Sequence, residues 1–517
     1  MRMPGHLSRL SAVLFAVVAS ALLLPSWSGS ISGQALPRLF DGSFASRPER
    51  PGTPHLTVRG RRAKASLRAL DAPALLLNLF DNTQTAVTRT KVERPRADRL
   101  VWHGRGADGS QVALSVVKGA LAGTVYSFGQ TFDIVSDGNG LYRISELDSA
   151  AFPTDDPEFD AIPAAGAKGA GRGVTASAPA MSADGVVQID VMVLWTPAAR
   201  NAVGGTQAAI DSLVQSAVAN ANLAYANSGI NAQLRLVHSE EVNFTETSIQ
   251  TDLSSLSTSG DGVLDGVQSL RDQYGADIVT LLGNGYAAAG ACGQGYLMGA
   301  VSTSFAPWAF NVVDQSCAAG YLSYAHEVGH NEGLQHDPAN ASLSPAYPYA
   351  YGYQDPSGAF RTVLSYGGAQ RVPFFSNPNV LYNTMPTGTS TQNNAAALNL
   401  TAPTVSQFRP TAGGSVSGGS TPPPPPPCSY SVSPTSLSFS TTGGSANVTV
   451  TTTSGCSWAS SSGTSWVNAV GTASVSGASK VTAQQNAGGN RSSSVTVAGV
   501  RVSVSQQGVK VARGKRR

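Results

Sequence analysis

The chain has 517 residues, a formal net charge of +3 and only 13% charged residues. That length is more than one hydrophobic core holds, so two to four domains are expected. The small charge surplus argues against nucleic acid or a membrane surface as partner, and the basic end Lys510 to Arg517 reads as a short solvated tail.

Residues 1–35 read as a secretory signal. Arg2 and Arg9 give a positive start, Leu10 to Leu24 an apolar core, and small residues follow up to Ala35, which places cleavage between Ser26 and Ala35. The apolar run is too short for a comfortable membrane span and no later stretch offers one, so an exported protein without a membrane span is expected. Export puts the four cysteines in an oxidising setting. They fall as Cys292 and Cys317, then Cys428 and Cys456, and the separation of the two regions favours the local pairs 292–317 and 428–456 among three connectivities.

Residues 36–160 alternate short strands and turns. Gln111 to Val117, Leu121 to Tyr126 and Gln130 to Val135 are examples, the last running into Asp137-Gly-Asn-Gly140. Residues 161–184, mostly Ala, Gly, Ser and Pro, form a linker open to proteolysis. A folded unit between a signal and a cuttable linker reads as an inhibitory propeptide, with a permanently attached accessory domain as the alternative.

Residues 185–410 make the next region. Val186 to Trp195 is an apolar strand. Ile210, Leu213, Val214, Ala217, Ala221 and Ala224 recur at helical spacing, and Ser228-Gly229 closes that helix. Ala232 to His238 is a second strand, Leu264, Val267, Leu270 and Tyr274 mark another helix, and Asp277 to Leu282 a buried strand. This order implies an α/β layer with a largely parallel sheet. Asp261 and Asp265 lack the rest of a calcium-loop spacing and read as a turn and a helix start; no calcium requirement follows from the sequence. The glycine-rich stretch Gly290 to Thr303 offers either a short exposed edge strand that pairs with an extended peptide or a plain hairpin. Phe310 to Val313 is the last strand before the chemistry, and Tyr324, Val328 and Leu334 pack the following helix on the sheet.

That helix carries His326-Glu327-Val328-Gly329-His330, continued by Gly333, His336 and Asp337. Residues four apart share a helix face, so His326 and His330 can reach one atom. Glu327 lies close to a metal-bound water without being a ligand. Gly333 tolerates the positive φ that ends a helix and turns His336 back as a third ligand. Three nitrogens with an open fourth position describe catalytic zinc, one Zn2+ ion that lowers the pKa of its water to ~7, with Glu327 as general base. No glutamate follows Glu332, which leaves His336 as the third-ligand candidate. The region before the linker has no cysteine to cover the zinc; His103 or the acidic run Asp155, Asp156 and Glu158 can approach it, or each is an ordinary surface residue.

His326-Glu-x-x-His330-x-x-Gly333-x-x-His336-Asp337 resembles the metzincin metallopeptidases, and its terminal aspartate the reprolysin-like (adamalysin-like) bacterial branch. The resemblance covers 186 to 409. It implies a mixed sheet with the zinc helix beneath it and a tight turn under the metal, matched here by Thr362 to Gly368 with Leu364 in place of methionine. Leucine has a similar volume and fits such a packing role. The resemblance also implies that Tyr366 either steadies the oxyanion or packs, that Asp337 fixes the chain at the third ligand by hydrogen bonds, and that Arg371 to Pro378 walls the pocket for the side chain just after the scissile bond. Asn393 to Phe408, interrupted by Pro403, closes the domain.

Residues 411–427 hold Gly-Gly-Ser and six prolines, a semi-rigid spacer. Residues 428–508 form short alternating strands such as Asn447 to Val450 and Arg501 to Val504, a β-sandwich, and 509–517 the tail. Cys456-Ser-Trp458, Trp466-Val467, Asn490-Arg491 and Gln506-Gln-Gly508 resemble the BACON domain, an immunoglobulin-like module, which implies glycan or mucin adhesion. Trp458 and Trp466 stack on sugars or fill the core.

The expected protein is multidomain: a β-rich propeptide, an α/β metzincin catalytic domain and a C-terminal immunoglobulin-like β-sandwich. It is a secreted extracellular zinc endopeptidase acting on proteins or peptides. An adhesin that uses the peptidase-like domain as a scaffold is the alternative, and zinc-dependent hydrolysis of a non-peptide bond a third reading.

Overall fold

The computed structural model describes residues 35–41, 56–127, 129–155, 179–182, 184–411, 430–452, 458–462, 464–473 and 476–509. The signal, most of both linkers, Asp156, Glu158, Cys428, Cys456 and the basic tail lie outside these residues. The chain divides into two compact units, 1–414 and 415–517. Together they make a multi-sheet, mostly β protein with a few helices.

Unit one opens with eight strands: β1 (Thr57–Ala63), β2 (Ala74–Phe80), β3 (Thr83–Arg96), β4 (Arg99–Gly106), β5 (Gln111–Val117), β6 (Ala120–Ser127), β7 (Gln130–Gly138) and β8 (Leu141–Leu147). They form one antiparallel sheet in the order β1-β8-β7-β6-β5-β4-β3-β2. Leu114, Leu121, Val125, Phe132 and Ile134 join a buried core with Trp102 and Leu77. The expected turn is built from Gly138, Asn139 and Gly140 at φ 81, 53 and 71.

The second part of unit one holds β9 (Val187–Trp195), β10 (Ala232–Glu241), β11 (Ile278–Gly283), β12 (Gly293–Gly295) and β13 (Phe310–Asp314). Their order is β10-β9-β11-β13-β12, all parallel except β12, so the sheet is mixed. Helix α1 (Pro197–Ala202) starts at Thr196, whose side chain accepts from Ala199 N, with proline where no N–H is needed. Helix α2 (Gln207–Asn227) is capped by Thr206, ends at Ser228 and is buried without a break from Ala209 to Ala221. It lies between the mixed sheet and the N-terminal sheet. Its Asn220 donates to Thr124 Oγ1 at 2.8 Å, and Asn227 to Gln111 Oε1 at 2.7 Å.

Helices α3 (Ile249–Ser257) and α4 (Gly266–Tyr274) follow. Leu264 is not part of α4 as its spacing predicts; at φ 54 it sits in the preceding turn, where Asp265 accepts from Gly260 N and Gly262 N. Helix α5 (Ser323–Asn331) carries the histidines, α6 (Asn394–Val405) runs on through Pro403, and β14 (Leu381–Tyr382) pairs with β15 (Met385–Pro386). Cys292 and Cys317 form a disulfide beside β12. Among the described residues no helix is long and apolar enough to cross a membrane.

Unit two contains β16 (Ser431–Ser433), β17 (Ser436–Phe439), β18 (Gly444–Thr451), β19 (Trp458–Ser462), β20 (Val467–Val470), β21 (Thr472–Ala473), β22 (Gly477–Ala483), β23 (Arg491–Val497) and β24 (Val500–Gln506). The sheets β16-β18-β22-β20 and β17-β24-β23-β19-β21 share one core of Val448, Val450, Val481, Val495 and Val502. Trp458 belongs to that core, and Trp466 is partly buried beneath the Arg491 guanidinium, 4.3 Å from its ring centre.

Candidate active site

Every residue of α5 is buried, and Tyr324, Val328 and the following Leu334 join the core of the mixed sheet. The helix ends where Gly333 takes φ 90, with Leu334 N donating to Gly329 O at 2.9 Å. A Cβ at 333 would stand 2.6 Å from Ala346 Cβ and 3.1 Å from Met298 O, so only glycine fits the turn.

That turn brings His336 back to the helix. Its Nε2 lies 3.1 Å from His326 Nε2 and 3.0 Å from His330 Nε2. On the far side of the rings, His326 Nδ1 is 2.8 Å from Val363 O and His330 Nδ1 2.9 Å from Leu334 O. A carbonyl only accepts, so both Nδ1 atoms carry the proton and both Nε2 atoms keep a lone pair facing the centre. Burial, then the neighbouring His330, push His326 and His336 well below the ordinary imidazole range, toward the neutral form a metal ion takes. His336 Nε2 about 3 Å from each of the other two nitrogens matches the spacing of ligands around tetrahedral zinc with bonds of ~2.0–2.1 Å.

Glu327 follows on the helix, and β12 is shaped around it. A Cβ on Gly293 would lie 2.6 Å from Glu327 Oε1, and one on Gly295 3.1 Å from Oε2. Sequence reasoning missed the role of these glycines because their spacing to 327 exists only in the fold. Tyr366 OH stands 2.9 Å from His336 Nε2. Asp337 accepts from Tyr366 N at 3.0 Å and from Asn340 Nδ2 at 2.9 Å, which joins the third histidine to the 362–366 turn. Leu364 is fully buried, and a Cβ on Gly329 would come within 3.1 Å of its Cδ2, so it packs under the histidine helix.

Two expectations are corrected. The edge strand in Gly290–Thr303 exists as β12, but its three residues are buried rather than exposed. The chain just after the N-terminal sheet meets the residue before it, with Cys292 N donating to Thr154 O at 3.1 Å. Asp155, for which a surface loop position was the competing reading, is 1% exposed with Oδ2 at 2.5 Å from Arg371 Nη2 and 3.5 Å from His326 Nδ1. His103 instead pairs with Glu93 at 3.3 Å, on β4. Asp155, His326 and Glu327 thus form a second cluster of potential ligand atoms beside the three histidines.

A glutamate and two imidazoles on such a helix, with a third brought back by the turn after it and all set against a mixed sheet, define the class of zinc metalloendopeptidases. Residues 186–394 match the profile of the Reprolysin-like metallo-peptidase family M12B. The chain is 30% identical over 403 residues to the peptidyl-Asp metalloendopeptidase of Xanthomonas campestris pv. campestris, covering 73% of this chain and 93% of the relative. It is 32% identical over 381 residues to an enzyme of the same name from Stenotrophomonas maltophilia (68% and 87%), and 36% over 270 residues to one from Pseudomonas aeruginosa (45% and 43%). The chain belongs to the reprolysin-like M12B metallopeptidases.

Proposed function

We propose that the protein is a secreted bacterial endopeptidase, made with an inhibitory N-terminal domain, that cuts extracellular proteins at aspartyl residues. His326, His330 and His336 hold the zinc, which when bound supplies a Lewis acid that polarises the carbonyl and acidifies water. Glu327 removes the proton from the attacking water and carries it to the leaving amine nitrogen as the C–N bond breaks. The Tyr366 hydroxyl donates to the oxygen on which negative charge grows. Asp337 holds the His336 segment against the Tyr366 turn. The observation that carries this reading is His336 Nε2 within 3.1 Å of both His326 Nε2 and His330 Nε2, beside a glutamate seated against glycines. The aspartyl preference is supported by the names of the relatives.

The domain limits that go with this reading are 36–160 for the inhibitory domain, 185–410 for the peptidase and 428–508 for a BACON-like sandwich that holds glycan or mucin. For the last, Arg491 Nε donating to Gln506 Oε1 at 2.9 Å joins two of the residues that carry the resemblance.

The test is Glu327→Gln, compared with the parent after both are nicked by trypsin, for which Lys168 and Arg172 stand in the 161–184 stretch. Zinc content stays at one per chain while cleavage of an Asp-containing peptide falls by about 10³-fold. A variant that retains cleavage overturns the mechanism.

A further inference from the structure

The buried pair Asp155–Arg371 joins residues 216 positions apart. Both side chains are 1% exposed. A buried guanidinium is stabilised by an anion at hydrogen-bond distance, and the Asp155 carboxylate is the anion that faces Arg371. Elsewhere on Arg371, Nη1 donates to Tyr321 O at 3.0 Å, and the guanidinium lies 4.3 Å from the Tyr321 ring centre. Arg361, also buried, is committed to Tyr321 OH at 2.7 Å and Ala369 O at 3.0 Å. Arg371 Nη2 therefore serves the carboxylate.

The segment that delivers Asp155 is held at three points. Phe152 stacks on Tyr321 with centroids 4.0 Å apart, Thr154 O accepts from Cys292 N beside β12, and the backbone carbonyl of Asp155 accepts from Tyr366 OH. Its carbonyl is thus at the hydroxyl proposed to serve the oxyanion, while its side chain is in the arginine pocket.

We infer that Arg371 is the residue that reads the acidic side chain flanking the scissile bond, and that in the full-length chain Asp155 occupies that pocket as a tethered substrate mimic. This rests on the endopeptidase reading above and adds to it the specificity residue and the occupant. Latency here comes from filling the specificity pocket, a carboxylate-to-guanidinium contact rather than a thiolate on the metal.

The experiment uses the full chain with Asp155→Asn, which keeps shape and removes charge. Initial rates on matched peptides with Asp or Asn at the scissile position are read before any nicking. The variant is expected to cut the Asp peptide at least tenfold faster than the parent. Adding Arg371→Gln lowers the Asp-to-Asn ratio of kcat/KM at least tenfold, and Arg371→Lys restores part of it. Because Arg371 is buried, a measurement without its replacement runs alongside: acetyl-Phe-Pro-Thr-Asp-amide inhibits the nicked parent at least tenfold better than its Asn analogue. An Asp155→Asn chain no faster than the parent, or equal handling of Asp and Asn peptides with cleavage intact, overturns this inference and leaves the peptidase reading standing. A nicked parent that cuts neither peptide overturns both.

Discussion

Replacing Gly293 with alanine tests whether the position of the Glu327 carboxylate, and not merely its presence, sets the rate. The new methyl would lie 2.6 Å from Oε1, 2.7 Å from Cγ and 2.9 Å from Cδ of Glu327. Ordinary contact begins near 3.4 Å, so the carboxylate must retreat by 3.4 − 2.6 = 0.8 Å. The obstacle is the end of a side chain, which moves more cheaply than backbone. The fold and the three imidazoles should therefore stay in place. A misplacement of about 1 Å costs on the order of 10²-fold in rate, equivalent to about 2.7 kcal/mol in the barrier. Gly295→Ala, at 3.1 Å from Oε2 and from the backbone oxygen of Glu327, should cost less, roughly tenfold. The assay is kcat and KM on nicked protein, with zinc content and unfolding midpoint measured on the same preparations. Near-parental kcat in Gly293→Ala would refute the reasoning, as would a loss of activity that merely follows a loss of zinc.

Tyr366→Phe should lower kcat by roughly 10²-fold with zinc retained and KM little changed; a loss below about threefold would reduce the residue to packing. Leu364→Met should cost less than about 1.5 kcal/mol in urea unfolding and keep zinc, whereas release of the metal would show that the turn depends on leucine. Burial raises the Asp277 carboxyl to about 8, against backbone donors at Asp190 and Arg409 that favour its ionised form. Its folded pKa lies above the unfolded ~3.9. The stability it contributes is therefore complete below about pH 4 and is lost as pH rises through about 8. The unfolding midpoint should fall between pH 5 and pH 8.5, and Asp277→Asn should flatten that fall; parallel profiles would count against it.

The histidine constellation was legible because its parts lie within twelve residues, where helix geometry and one glycine decide the arrangement. Strands β5 to β7, β9 and α2 were legible from periodicity. Helices α1 and α3 were not read, since six and nine residues give little periodicity, and their caps at Thr196 and Ser248 are single polar residues. Leu264 misled because its apolar spacing fits a helix while its backbone sits in a turn fixed by Asp265. Asp155 was named only as one of several acidic candidates. What sets it apart is Arg371, 216 residues later, and no local pattern reports a contact at that range. The burial of β12 was hidden for a similar reason: helices α3 and α5, which pack on it, stand before and after it in the chain.

If the N-terminal sheet is removed as proposed, the face that α2 turns to it would be uncovered. Asn220 and Asn227 meet it through amide and hydroxyl contacts, and Ser216 lies on the same stripe by its four-residue spacing. Among the described residues of the sheet, Tyr126 and Val135 are the ones that enter the apolar core of the α/β layer. The aliphatic residues Ile210, Leu213, Val214, Ala217 and Ala221 stay in that core. Departure of the sheet would thus wet a surface of amides and hydroxyls, which water satisfies as well as the sheet did. A peptidase released from it would carry a hydrophilic stripe along α2, with its apolar exposure gathered instead around Tyr321, where Phe152 had been stacked.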